Sequence, residues 1–282
     1  MNDPASSVPE YDALAEFYDL WSAADPAFEP TRSFYVDYCR SQPGLVVEIG
    51  VGTGRIALDI AATGTRVHGI DVSSTMLETC RKRHGRSPAA RTLTLECMDV
   101  RDMNIEEEAM VVICPFRTIG HLLTMEAKAE AFARVHDTLA PEGRFVFDHY
   151  VFDAQWAHAH NGVPRLMVHE TSDNKGGVAI WDTYRYDFTT QRMACTITHE
   201  RLSPAGEVVS RTHHPLAFSW VTPEQVKEIA GKAGLTVEAL YGDFRRSPFT
   251  PSSRNQVWIL VRSGGADQAT LGNKSGSHNQ LK

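Results

Sequence analysis

Apolar positions in this chain come in two rhythms. Short runs rich in β-branched residues alternate with longer stretches in which apolar residues recur at helical spacing. Leu45 to Ile49 is the first such run and predicts a buried parallel strand. It gives way to Gly50-Val51-Gly52-Thr53-Gly54 and then to a helical pattern through Ile56, Leu58, Ile60 and Ala61. A second strand, Arg66 to Ile70, ends on Asp71; a serine or threonine at 73–75 then caps a helix that runs through Arg81-Lys82-Arg83. Thr92 to Glu96 and Met110 to Ile113 predict further strands, and Glu126 to Leu139 a helix with Ala131, Phe132, Val135 and Leu139 on one side. Residues 140–143 read as a tight turn before a fifth strand, Arg144 to Phe147. Upstream, Tyr11 to Trp21 spaces Tyr11, Leu14 and Tyr18 as an amphipathic helix, Phe34 to Cys39 continues as helix, and Gln42-Pro43-Gly44 ends it. Strands alternating with helices make this an α/β chain built on a parallel sheet.

The rhythm changes between about Asn161 and Trp220. Val178 to Phe188, Cys195 to Arg201 and Glu207 to Trp220 have the aromatic and β-branched content of strands, and Ser203-Pro204-Ala205-Gly206 is a hairpin signal. Three or four antiparallel strands are therefore expected, inserted after the fifth strand. The first pattern then resumes: Thr222-Pro223-Glu224 starts a helix ending at Gly234, and Leu235 to Tyr241 and Gln256 to Val261 are two more strands. The division expected is a disordered start (1–10), a core with an N-terminal lid helix (11–160), inserted strands (161–220), completion of the core (221–262) and a disordered tail (263–282).

Composition narrows the setting. The chain has 282 residues, of which 42% are hydrophobic and 22% charged, with a net charge of −7. An acidic balance argues against a nucleic-acid partner, which calls for a basic face, but leaves room for a local basic pocket. No apolar run reaches the ~18 residues of a membrane span, and the first residues lack the basic and apolar regions of a signal peptide. Five scattered cysteines with no C-x-x-C fit reduced thiols, so a cytoplasmic protein is expected. The inserted strands are expected to roof the active site, to form a homodimer interface, or both.

The chemistry concentrates at the glycine turn. Glycines let the main chain approach a ligand closely, and Asp71 at the end of the second strand can accept hydrogen bonds from both ribose hydroxyls. A dinucleotide would require G-x-G-x-x-G to seat its pyrophosphate. Here the third glycine comes one residue early, and Glu48 stands two residues before Gly50, where it repels phosphate and attracts a cation. The turn suits a nucleoside with a positively charged amino-acid end. EIGVGTG resembles motif I of the class I S-adenosylmethionine (SAM) methyltransferases, and Leu139-Ala140-Pro141-Glu142-Gly143 resembles a later landmark of that family.

That resemblance implies a Rossmann-like seven-stranded methyltransferase sheet with helices on both faces and an inserted antiparallel β-sheet. It implies that Glu48, Gly50, Gly52, Gly54 and Asp71 hold SAM, with Met76 packed on the adenine and Asp99 and Val100 reading the adenine edge, Asp102 being the rival acid. Cys114, at the end of the fourth strand, completes this set. Y-D-x-L-A-x-x-Y-D resembles an opening found in small-molecule members, where a tyrosine covers the cofactor; Tyr18 is the candidate.

The acceptor side is less specific. Pro115-Phe116-Arg117 to His121-Leu122 resembles a segment of bacterial small-molecule methyltransferases, and the N/D-P-P-Y of base and glutamine methyltransferases is missing. Arg117 is a candidate for a substrate carboxylate or phosphate, against a structural ion pair. His121, four residues on, would share its helix face and act as general base, against a satisfied structural histidine. Arg245, in the long loop 243–253, is a second candidate for an anionic group. His149 follows the acid that ends the fifth strand, and His199, His213 and His214 lie in the inserted strands. Two histidines and a carboxylate make a metal site with open positions. His149 and His214 are the expected ligands of a divalent metal, zinc or iron, with His149 catalytic through it. The chain resembles in this respect the metal-dependent C-methyltransferases of 2-oxo acids, which makes β-carbon methylation of a 2-oxo acid the first expectation. The alternatives are a metal-free N-methyltransferase of an amino sugar or amino acid, and a SAM-binding module without activity.

Overall fold

The structure is a computed structural model that describes residues 10–40, 42–85, 91–172 and 175–263. The ends expected to be disordered lie outside the described residues, apart from Glu10 and Ser263.

The apolar runs become the centre of a seven-stranded sheet. β1 (Leu45–Ile49), β2 (Arg66–Asp71), β3 (Leu93–Cys97), β4 (Ala109–Cys114) and β5 (Leu139–Tyr150) run parallel. β10 (Leu235–Tyr241) and β11 (Asn255–Arg262) close one edge, with β11 antiparallel to both neighbours. The order is β10-β11-β5-β4-β1-β2-β3, so the chain reverses direction across the sheet at β1 and β4. All five residues of β1 are buried, as the unbroken apolar run requires of a strand covered on both faces. One face packs α5 (Met125–Thr138) and α7 (Pro223–Lys232) through Phe132, Val135, Val226 and Ile229. The other packs α2 (Phe28–Arg40), α3 (Ala57–Ala62) and α4 (Ser74–His84) through Phe34, Ile60 and Leu77. Side-chain caps start three of these helices: Ser73 accepts from the Met76 N–H, Thr124 from Ala127, and Thr222 forms a capping box with Gln225.

The insertion is a second sheet of four antiparallel strands in the order β6-β7-β8-β9: β6 (Arg165–Ser172), β7 (Gly176–Asp187), β8 (Arg192–Leu202) and β9 (Val208–Ser219). A short helix, α6 (Ala154–His160), leads into it. Its inner face rests on the N-terminal segment, where Leu14 and Phe17 join Val168, Ile180, Cys195, Ile197 and Leu216 in one buried cluster. Among the described residues no helix is long and apolar enough to cross a membrane.

Three local expectations change. The expected lid helix is broken into a 3-10 turn over Glu10–Leu14 and α1 (Tyr18–Ala23), separate from α2. The expected turn at 140–143 is an irregularity inside β5: Leu139 pairs with Ala109 and Arg144 with Val111, so the intervening residues bulge. A Cβ on Gly143 would stand 2.8 Å from the Ala109 carbonyl, which is why only glycine fits that bulge. After β4 the chain makes a 3-10 turn over Thr118–His121, preceded by Phe116 and Arg117 at φ +55° and +62°. Arg117 therefore lies outside the helical turn, and Arg117 and His121 do not share a face.

Candidate active site

The carboxyl ends of β1, β2 and β4 open into a cavity of about 300 Å³, the size of a small-ligand site. The glycine turn forms its floor. Gly50 and Gly52 both have positive φ, at +71° and +52°. The space beside Gly52 is open, with the nearest atom to a built Cβ 4.0 Å away, and both glycines line the cavity. Gly54 does not line it; it sits against Cys80 of α4.

Asp71 ends β2 beside this turn. Its Oδ2 accepts from the Gly52 N–H at 2.8 Å and its Oδ1 from the Ser73 N–H at 2.8 Å. Each oxygen keeps lone-pair capacity toward the cavity. Burial raises its pKa, and those two N–H groups pull the other way. Glu48 is 2% exposed and stands at the base of the turn, behind the cavity wall. Burial pushes its pKa well up, with the Arg55 charge and the Ala57 N–H opposing. Its Oε2 is a buried acceptor without a hydrogen-bond partner.

The sides come from the next strand ends. Met76, 2% exposed, reaches the cavity one turn into α4. Asp99 and Val100 line it after β3, as does Cys114 at the end of β4. Asp99 is already held: Arg101 binds it through Nε at 3.0 Å and Nη2 at 2.7 Å, and holds its pKa down. Asp102 is not on the cavity wall.

A roof crosses above. Tyr11 and Tyr18 both line the cavity, with ring centroids 5.6 Å apart. The Tyr11 hydroxyl lies 2.8 Å from Nε2 of His121, which is also on the wall. His121 Nδ1 is buried without a hydrogen-bond partner. Burial pushes the His121 pKa down to about 4, so the ring is neutral. The roof is tied to the floor at several points. Ser73 donates to Asp12 at 2.5 Å, and Thr53 to Asp19 at 2.7 Å. Arg83 also pairs with Asp19. Arg55 donates to Ser22 and lies over the rings of Tyr18, Phe28 and Phe116 at 5.0, 4.5 and 4.9 Å.

Other expected site residues fall elsewhere. Arg117 pairs with Asp25 at 2.9 Å and is off the cavity wall, the structural ion pair rather than the substrate clamp. Its backbone N–H, with that of Phe116 and the Tyr35 hydroxyl, holds the buried Asp148 carboxylate, whose pKa burial raises to about 6. Arg245 is exposed on a loop that folds on itself around Asp243, while its neighbour Arg246 lies over Phe34 and Tyr38 of α2, away from the cavity.

The histidine pair is corrected as well. His149 is fully buried; its Nδ1 accepts from the Tyr150 N–H at 2.9 Å and its Nε2 meets the Ser219 carbonyl at 3.2 Å. Both ring nitrogens are spent on the main chain, so it serves neither as ligand nor as catalyst. His214 packs against Phe17 at 5.1 Å. It stands five strand residues from Ser219 along β9, about 17 Å from the main chain that His149 touches. Among the described residues no three His, Cys, Asp or Glu are grouped to hold a metal. The residues present do not fit the expected zinc or iron.

The donor set does fit SAM: an acid beside the open Gly52 for a ribose, and a methionine and the loop after β3 for an adenine. Residues 46–143 match the family described as methyltransferase domain. Over these residues the chain is similar to methyltransferase domains. The chain is 26% identical over 199 residues to the dTDP-3-amino-3,6-dideoxy-alpha-D-glucopyranose N,N-dimethyltransferase of Streptomyces fradiae, covering 70% of this chain and 72% of that protein. Three other curated relatives are spanned for only 54%, 59% and 56% of their length, so the chain spans little more than half of each. The methyltransferase domain and its insertion share their fold with the CcbJ methyltransferase from Streptomyces caelestis, at TM-score 0.74 and 23% identity, over 89% of this chain and 96% of that one. The same holds for the sugar N-methyltransferase KedS8 from Streptoalloteichus, at TM-score 0.68 and 16% identity, over 94% and 99%.

Sequence reasoning missed Tyr11, Asp12, Asp19 and Arg55. The doubled Tyr-Asp in Y-D-A-L-A-E-F-Y-D was the available signal: each half sends a tyrosine to the cavity, and the first aspartate goes to Ser73, the second to Thr53.

Proposed function

We propose that the protein transfers the methyl group of SAM to an amine nitrogen of a small molecule, with an amino sugar as the acceptor class. The observation that carries this is the cavity wall opposite the glycine turn. Its one cation among the described lining residues, Arg101, is held by Asp99, and Arg117 is neutralised by Asp25 off the wall. A 2-oxo acid would need a free cation or a set of metal-ligating side chains for its carboxylate, and the described lining residues provide neither. The name of the Streptomyces fradiae relative supports the same class.

In this reading Asp71 accepts the ribose hydroxyls, Met76 packs on the adenine, and Asp99 and Val100 border its edge. Glu48, buried behind the glycine turn with one oxygen unpaired, backs the part of the turn that would hold the amino-acid end. SAM supplies an already activated methyl group, so the chain's own work is alignment and water exclusion. Tyr11 and His121 are the polar pair facing the acceptor. With His121 neutral, its Nε2 accepts from the Tyr11 hydroxyl, and the phenol oxygen retains lone pairs to orient an amine N–H. Tyr18 and the ties through Asp12 and Asp19 close the roof.

The test is transfer of labelled methyl from SAM to a panel of dTDP-linked amino sugars, free amino sugars, amino acids and 2-oxo acids. Label on an amine nitrogen is expected. Label on a 2-oxo acid carbon and on no amine would overturn the acceptor reading.

A further inference from the structure

One buried cation is so far unused. Lys128, on α5, is 1% exposed, and its partners are neutral: its ammonium donates to the Leu122 carbonyl and to Ser219 Oγ, the latter at 2.6 Å. Desolvating an ammonium is costly, and an apolar side chain would fill the same space more cheaply. What the ammonium does with that cost is visible in its neighbours. Ser219 ends β9, the last inserted strand, and its hydroxyl lies 3.1 Å from the Gly120 carbonyl and 2.9 Å from that of Leu122. Arg192, at the start of β8, donates to the Leu123 carbonyl at 3.3 Å. A Cβ on Gly120 would meet the Ser219 carbonyl at 3.2 Å, so this approach is already close. Phe218, the residue before Ser219, has its ring centroid 4.5 Å from that of His121, tilted at 46°. The carbonyls flanking His121 are thus gripped from α5 and from the ends of the inserted strands, while its ring touches both Phe218 and Tyr11.

We infer that Lys128 and Ser219 are positioning residues, a buried clamp that holds segment 120–123 so that His121 meets Tyr11 on the acceptor side of the cavity. The clamp couples the inserted sheet to the site, and its catalytic consequence rests on the role given to His121 above.

The experiment compares wild type with Lys128→Met, Ser219→Ala and Ser219→Thr. It reads the affinity for S-adenosylhomocysteine by calorimetry, Tm, kcat and KM on an amino-sugar acceptor, and the 15N shift of His121 in the S-adenosylhomocysteine complex. For Lys128→Met the clamp predicts a Tm no lower than wild type, affinity within about threefold, KM within about threefold and kcat down at least ~tenfold. The His121 Nε2 resonance moves toward its value without the Tyr11 hydrogen bond. Ser219→Ala behaves alike in kcat, and Ser219→Thr, which keeps the hydroxyl, restores it. Unchanged kcat in Lys128→Met, or loss of kcat only in proportion to affinity and Tm, would overturn the inference. Should the wild type methylate no amine, the acceptor reading fails by itself, and the His121 resonance still decides the clamp: moved in Lys128→Met supports it, unmoved refutes it.

Discussion

Asp71 shows how one side chain serves two purposes. Each of its oxygens takes one backbone N–H, fixing the glycine turn to the end of β2, and each retains capacity for a ligand hydroxyl. Losing it should remove two charge-assisted hydrogen bonds of about 1.5–3 kcal/mol each, so Asp71→Ala should weaken SAM binding by roughly 100-fold or more. His121 stands opposite. His121→Phe should leave the affinity for S-adenosylhomocysteine within about threefold and lower kcat by about 100-fold, the scale of a misaligned acceptor. His149 is a different kind of histidine. With both nitrogens on the main chain it holds β5 to the end of β9, so treatment with a chelator should leave methyl transfer at its untreated rate. A loss restored by zinc or iron would contradict this.

At the scale of elements, the N-terminal segment is a strap fastened to the floor it covers. Asp19 is its main fastening, gathering Thr53, Arg83 and Arg55. Asp19→Ala should raise the dissociation constant for S-adenosylhomocysteine by about tenfold, and hydrogen exchange over residues 10–23 should speed up. The sheet was legible because a parallel strand buried on both faces writes itself as an unbroken apolar run, as β1 and β4 do. The acids at the strand ends were legible for the same reason, since the strand ends are. The strap was not legible as a broken helix because Phe17, which precedes α1, supplies no side-chain cap to mark the break. The 3-10 turn after β4 was hidden too. Phe116 and Arg117 adopt positive φ only because Asp148, distant in sequence, binds their N–H groups. The histidines misled because a ring with both nitrogens spent on main chain and a metal ligand look alike in sequence. Alternation correctly sends His213 and His214 to opposite faces, but it does not say that Phe17 waits on one of them.

For the whole molecule, buried titratable groups set how stability follows pH. His121 and His149 are pushed down to about 4 and about 3, so the unfolded chain binds more protons below pH ~6.5 and acid costs stability. Asp148, raised to about 6, acts in the opposite sense over much of that range, so the acid limb is a partial cancellation. On the alkaline side Lys128, pulled down to about 7 by burial, contributes stability that rises with pH, because the unfolded chain holds a proton that the folded chain has released. Four buried cysteines, Cys39, Cys80, Cys114 and Cys195, are pushed up and act in the opposite sense, so the lysine is read by comparison with Lys128→Met. Between pH 7 and 8.5, urea unfolding should gain on the order of 1 kcal/mol per pH unit in the wild type relative to Lys128→Met. Parallel curves for the two proteins would place the ammonium elsewhere.

The central claim is that the glycine turn and the acid beyond it form a site for SAM. Titration calorimetry of S-adenosylhomocysteine into the wild type and Asp71→Ala reads it directly, with Tm confirming that both are folded. Micromolar one-site binding in the wild type, lost or weakened by roughly 100-fold in Asp71→Ala, is the result predicted. Equal affinity in the two folded proteins, or no binding in the wild type, would contradict it.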